Sequence, residues 1–97
     1  MSEIRIERTH QLGLARAREM AVRWQDQAME KYGMRCRYEA GEEQDCLHME
    51  RSGASGELVI SAKHLSVRLE LGFLMSAYAG MIESQMQKNL DELLGTA

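Results

Sequence analysis

Between Met34 and Leu71, apolar and polar residues alternate in four consecutive runs, and this two-residue period is the strongest constraint on the fold. Side chains of a strand point alternately to opposite faces, so each run can bury only one face. The first two runs are Met34, Cys36 and Tyr38 against Arg35, Arg37 and Glu39, then Leu47 and Met49 against His48 and Glu50. Leu58, Ile60 and Ala62 follow against Val59 and Ser61, and then Leu65, Val67, Leu69 and Leu71 against Ser66, Arg68 and Glu70. The polar residues 41–45, the cluster Ser52-Gly53-Ala54-Ser55-Gly56 and the pair Lys63-His64 separate the runs and read as turns. Four strands joined by short turns make an antiparallel meander covered on one face. The last run has the cleanest alternation and is expected to lie centrally.

Helical periodicity brackets the meander. A short strand at Ile4 and Ile6 leads into Leu14, Ala17, Met20, Ala21, Trp24, Ala28 and Tyr32, which recur at steps of three and four and predict a helix over about 12–32. Thr9 or Gly13 is the expected cap at its start, and Gly33 the left-handed residue at its end. Beyond Gly72 a second helix is predicted to about residue 94, with Leu74, Met75, Tyr78, Met81, Ile82, Met86, Leu90 and Leu93 spread over roughly 180° of its surface. A stripe of about 100° suffices to face one core, so the excess asks for a second neighbour. The fold class is therefore α+β: one domain over residues 1–97, a five-stranded antiparallel sheet with both helices on one face. Pairing the first strand with the fifth gives spatial order 2-3-4-5-1, which resembles a reduced helix-grip arrangement. Arg5, Arg35, Arg37, Arg68 and Glu70 should occupy the other face.

Composition excludes several functions. Twelve Lys and Arg against fifteen Asp and Glu give a net charge of -3 without a long block of either sign, whereas nucleic-acid binding calls for a basic field. No apolar run approaches the roughly 20 residues that span a bilayer, and Met1-Ser2-Glu3-Ile4-Arg5 lacks a signal-peptide layout. A cytoplasmic protein without a transmembrane segment is the expectation.

Motifs for catalysis or metal binding are equally sparse. Cys36 and Cys46 are ten positions apart, outside any CxxC spacing, and no His completes a zinc set by sequence spacing, so reduced cysteines and no cofactor are expected. His10, His48 and His64 are isolated and read as surface or turn residues. No serine sits in a GxSxG elbow, and the glycine-containing turn enters a strand without the Lys-Ser or Lys-Thr of a phosphate loop. Glu42, Glu43 and Asp45 read as a solvated hairpin tip rather than paired catalytic acids. Methionine is abundant, and Met75, Met81 and Met86 share the wide face of the last helix; filling an irregular core is favoured over an adaptable binding surface.

Five stretches in order resemble a known family: residues 4–13 (IRIERTHQLG), Lys31-Tyr32-Gly33, Glu50-Arg51-Ser52-Gly53, Leu71-Gly72-Phe73-Leu74 and Ile82-Glu83-Ser84. Together they are similar to the polyhydroxyalkanoic acid system proteins, small bacterial proteins associated with storage-polyester granule genes, over about residues 4–94. The long acidic segment 41–45 and the Met-rich last helix depart from the family pattern. The resemblance implies a role in polyhydroxyalkanoate storage and supplies no catalytic residue. The leading expectation is a non-enzymatic accessory protein that binds a granule-associated protein, the polymer surface or a second copy of itself. The surface expected to do so comprises Phe73, Leu74, Met75, Tyr78, Met81, Ile82 and Met86, and its exposure implies at least a homodimer. The alternative is a small-molecule binder that holds a hydroxyacyl or fatty-acyl ligand in a pocket between the sheet and the last helix.

Overall fold

The computed structural model describes residues 2–95. Strand β1 (Ser2–Thr9) precedes helix α1 (Gly13–Tyr32), and strands β2 (Arg35–Glu39), β3 (Gln44–Arg51), β4 (Ala54–Ser61) and β5 (His64–Leu71) form the meander. A 3₁₀ turn (Met75–Tyr78) then leads into α2 (Ala79–Gly95). The strands lie in the order β1-β5-β4-β3-β2, all pairs antiparallel, which is the predicted order read from the other edge. β5 is an interior strand as expected, but the middle position belongs to β4.

Register explains why one face is dry. Leu47 stands opposite Leu58, Leu58 opposite Val67, and Val67 opposite Ile6, so four strands contribute one continuous apolar row. These residues join Ala17, Met20, Ala21 and Trp24 of α1 and Met86 and Leu90 of α2 in one core. The alternate row, Arg37–His48–Glu57–Arg68–Arg5, runs across the opposite face. Gly56 occupies a core-facing position between Met49 and Leu69, where a Cβ would meet the Arg68 carbonyl oxygen at 2.3 Å. Close strand packing therefore requires glycine there.

Small residues set the seat of α1. Ala17, Ala21 and Ala28 are buried and let its backbone come within 8 Å of β2, β3 and β4. Neither expected N-cap is used. The Leu12 N–H instead donates to His10 Nδ1 at 3.2 Å, while Thr9 remains in β1. Gly33 adopts φ 63° and its N–H returns to the Ala28 carbonyl, as predicted for the C-terminus. Tyr32, placed by periodicity on the buried face, is exposed.

The largest departure from the sequence reading is Asp45. It belongs to β3 rather than to a solvated tip, and it is 1% exposed. Glu42 and Glu43 are exposed, as expected. The Asp45 carboxylate accepts from Arg18 Nε at 2.8 Å, Arg18 Nη2 at 3.1 Å, the Tyr38 hydroxyl at 2.5 Å and the Gly41 N–H at 2.9 Å. Burial alone would raise its pKa, but the donors from Arg18, Tyr38 and Gly41 outweigh burial and hold it at about 2. Burial, then the bond to Asp45, pushes Tyr38 above its ordinary value. This bidentate pair fastens α1 to the edge formed by β2 and β3. At the other edge Arg8 of β1 meets Asp91 of α2 at 3.2 Å.

Because its folded pKa is depressed, Asp45 contributes stability above its ordinary value of 3.8 that is lost as pH falls toward about 2. Asp45→Ala, which leaves four donors without their acceptor, is expected to lower stability at neutral pH by about 2–3 kcal/mol. Urea denaturation across that acid range should show a shallower pH dependence than in the parent protein. An unchanged pH slope would contradict the assignment.

Candidate functional site

Leaving β5, the chain does not enter a helix at once. The Gly72 N–H bonds to the Gly53 carbonyl at 2.8 Å, and its own carbonyl accepts from the Ser76 N–H at 3.0 Å and the Ser76 hydroxyl at 2.9 Å. Residues 73–74 form a turn, and the regular helix starts at Ala79, six residues later than periodicity implies. The late start leaves large apolar side chains standing in solvent: Phe73 is 85% exposed, Leu74 81%, Met81 71% and Tyr78 55%.

The seven expected surface residues thus fall into tiers. Phe73, Leu74, Tyr78 and Met81 form an exposed rim. Met75 and Ile82 are half-buried beneath it, and Met86, 9% exposed, belongs to the core. The surplus apolar arc is real, but its C-terminal part is occupied by the sheet.

Under the rim lies a cleft of about 250 Å³ between α1, α2 and the end of the sheet where β4 begins and β5 ends. Trp24, Ala28, Met49, Leu69, Ile82 and Met86 are among its walls. The Trp24 indole N–H is directed to Met49 Sδ at 3.3 Å, so the deepest polar group is already matched by a thioether. Gln27, Arg51, Gln85 and Asn89 also line the cleft. Sequence reasoning missed the contribution of α1; the signal was a helical face that ended in Tyr32, a residue suited to a partly wet margin.

Other singled-out residues serve local structure. His10 Nε2 lies 3.3 Å from the His64 carbonyl, and the Ser61 hydroxyl accepts the His64 N–H, which ties the β4–β5 turn to the start of α1. Cys36 and Cys46 are free and half-buried, and strand register places them on opposite faces. One juxtaposition was not anticipated from spacing: Cys46, His48 and Glu57 come within 4.8 Å of one another on the open face. Pairing between β3 and β4, invisible in spacing along the chain, creates it.

A family model described as "Putative polyhydroxyalkanoic acid system protein" matches residues 4–94. The chain belongs to this family. The matched segment of this polyhydroxyalkanoic acid system protein runs from within β1 into the last turns of α2, and so includes the rim and the cleft. No curated protein and no solved structure matches it. Among the described residues, no helix is long and apolar enough to cross a membrane.

Rim and core are separable by stability. Met86→Ala is expected to cost about 2–4 kcal/mol because it enlarges a packed site, whereas Met81→Ala should stay within about 0.5 kcal/mol. Chemical denaturation of both variants checks this; equal losses would contradict the division into rim and core.

Proposed function

We propose that this polyhydroxyalkanoic acid system protein is a non-enzymatic accessory protein of polyester storage that lies on the apolar surface of the granule through Phe73, Leu74, Tyr78 and Met81. The exposure of these four large side chains on one short segment carries the reading, since clustered apolar surface marks contact with a partner or an interface. Phe73 and Leu74 are adjacent on a turn, as wedge residues entering an apolar boundary would be, and Tyr78 presents a ring with a polar tip.

Magnitudes favour reversible attachment. Burying Phe73, Leu74 and Met81 contributes roughly 5 kcal/mol before the loss of freedom on binding is subtracted. That resembles a single weak lipid anchor rather than permanent insertion. The contact should also be insensitive to salt, because it does not depend on ion pairs. The non-enzymatic reading is supported by the buried Asp45, whose carboxylate is committed to Arg18, Tyr38 and the Gly41 backbone.

Purified protein is mixed with native granules and with polymer particles stripped of protein, and the fraction that sediments with each is measured. Binding to stripped polymer is expected, unchanged at high salt and lost when Leu74 and Met81 are both replaced by Glu. Binding to native granules alone would transfer the surface to a coat protein; binding to neither would overturn the reading. A concentration-dependent dimer in analytical sedimentation, lost in the same double variant, would assign the rim to a second copy.

The cleft itself favours a second reading, a site for an acyl or hydroxyacyl chain. Its volume of about 250 Å³ falls just below the roughly 300–1,000 Å³ of sites that enclose a small ligand, which ranks this reading second. Trp24 is the single tryptophan and lines the cleft. A saturable change in its fluorescence with a medium-chain fatty acid would support the reading, and an unchanged spectrum would remove it.

A further inference from the structure

The sheet face turned away from the helices carries a mixed-donor cluster unrelated to the apolar rim. Alternation along β3 sends Cys46 and His48 to that face. The register sets Glu57 of β4 directly opposite His48 and diagonal to Cys46. Cys46 Sγ lies 3.8 Å from Glu57 Oε2, and His48 Nδ1 lies 4.0 Å from the same oxygen. We propose that Cys46, His48 and Glu57 bind one divalent transition-metal ion, with zinc the best chemical match.

Thiolate, imidazole and carboxylate are the three donor types that zinc accepts, at about 2.3 Å from sulfur and about 2.0 Å from nitrogen or oxygen. Tetrahedral bonds of those lengths separate the donor atoms by roughly 3.3–3.5 Å. The two separations that involve Glu57 need to contract by about half an ångström and the Cys46–His48 separation, at most 4.8 Å, by up to about 1.3 Å, which side-chain rotation can supply. All three residues are half-buried, so their rotamers are restricted before an ion arrives. Three protein ligands leave a fourth position for water or an incoming group. A soft thiolate beside an imidazole disfavours magnesium and calcium, which prefer oxygen alone.

The surroundings fit this assignment. His48 Nε2 faces Glu39 Oε1 at 3.4 Å; an N–H held toward that carboxylate leaves Nδ1 free to ligate, the usual support for a metal-bound imidazole. Arg68 lies 3.7 Å from Glu57 Oε1 but has its closer partner in Glu70 at 2.8 Å. Glu57 can turn toward an ion without stranding it. Arg37 is paired with Glu39. Burial, and then the carboxylates of Glu57 and Glu39, favour the neutral Cys46 thiol. A bound cation replaces that proton, which passes to solvent, and no electron is transferred.

Cobalt(II) is the probe, titrated into the full chain under reducing conditions and read by absorption. One equivalent should produce a thiolate-to-cobalt charge-transfer band and tetrahedral d–d bands, both displaced by zinc. Cys46→Ser should abolish the charge-transfer band, Cys36→Ser should keep it, and Glu39→Gln should weaken binding by about tenfold. Absence of the band in the parent protein, or its survival in Cys46→Ser, would overturn the site. Independently of any variant, zinc should slow alkylation of Cys46 and not of Cys36 in the parent protein, mapped by mass spectrometry. Equal rates with and without zinc would also overturn it.

Discussion

Two ion pairs set in the same cross-strand row determine how the helices sit on the sheet. Asp45 of β3 aligns with Ile60, Leu65 and Arg8 across the sheet. Asp45 holds Arg18 near the start of α1, and Arg8 holds Asp91 near the end of α2. The helices are therefore fastened at one end of the sheet, one at each edge. At the other end, six residues along β4 and roughly 20 Å away, no ion pair ties them among the described residues, and there the cleft opens between Trp24, Ala54 and Met86. A buried carboxylate with four donors is costly to break and tolerates little displacement. It is suited to fix one end of α1, while at the other the Tyr32 carbonyl accepts from Arg51 Nη1 at 2.7 Å beside apolar contacts.

This asymmetry places the apolar rim. α2 must run toward the pinned end to deliver Leu90 to the core and Asp91 to Arg8, so its first turns lie over the open end. The tether from Gly72 to Gly53 sets where those turns begin. Phe73 and Leu74 stand in solvent on that tethered turn, and Met81 lies largely exposed at the cleft's margin while Met86 is buried. The same polypeptide thus supplies a packed core at one end and an unpartnered apolar surface at the other. The proposed granule contact uses the second without loosening the first.

Most of the architecture was legible because alternation and helical periodicity report on burial directly. Ile4, Leu58, Val67 and Leu90 are all core residues, and the strand order followed from turn lengths and one free edge. Asp45 was misread because a carboxylate in an acidic stretch is normally solvated, and nothing within residues 41–45 reveals that Arg18 of α1 arrives above it. The late start of α2 was hidden because apolar spacing continues through the 3₁₀ turn, while a backbone bond to Gly53 interrupts the regular helix. Phe73, Leu74, Tyr78 and Met81 are exposed, as an arc too wide for one core requires, although core filling was favoured for Met81. Met86 was assigned to that surface because periodicity places a residue on a face without saying how far along the helix the sheet extends. The donor cluster on the open face was invisible for a related reason, since Glu57 reaches His48 only through strand register.

The most direct test of the interaction surface is residue-level oxidative footprinting of the methionines, read by mass spectrometry with the protein free and bound to stripped polymer. Met81 should oxidise rapidly in the free protein and be protected on the polymer, while Met86, held in the core, should oxidise slowly in both states. Rapid oxidation of Met81 in the bound state would contradict the claim that this face makes the contact.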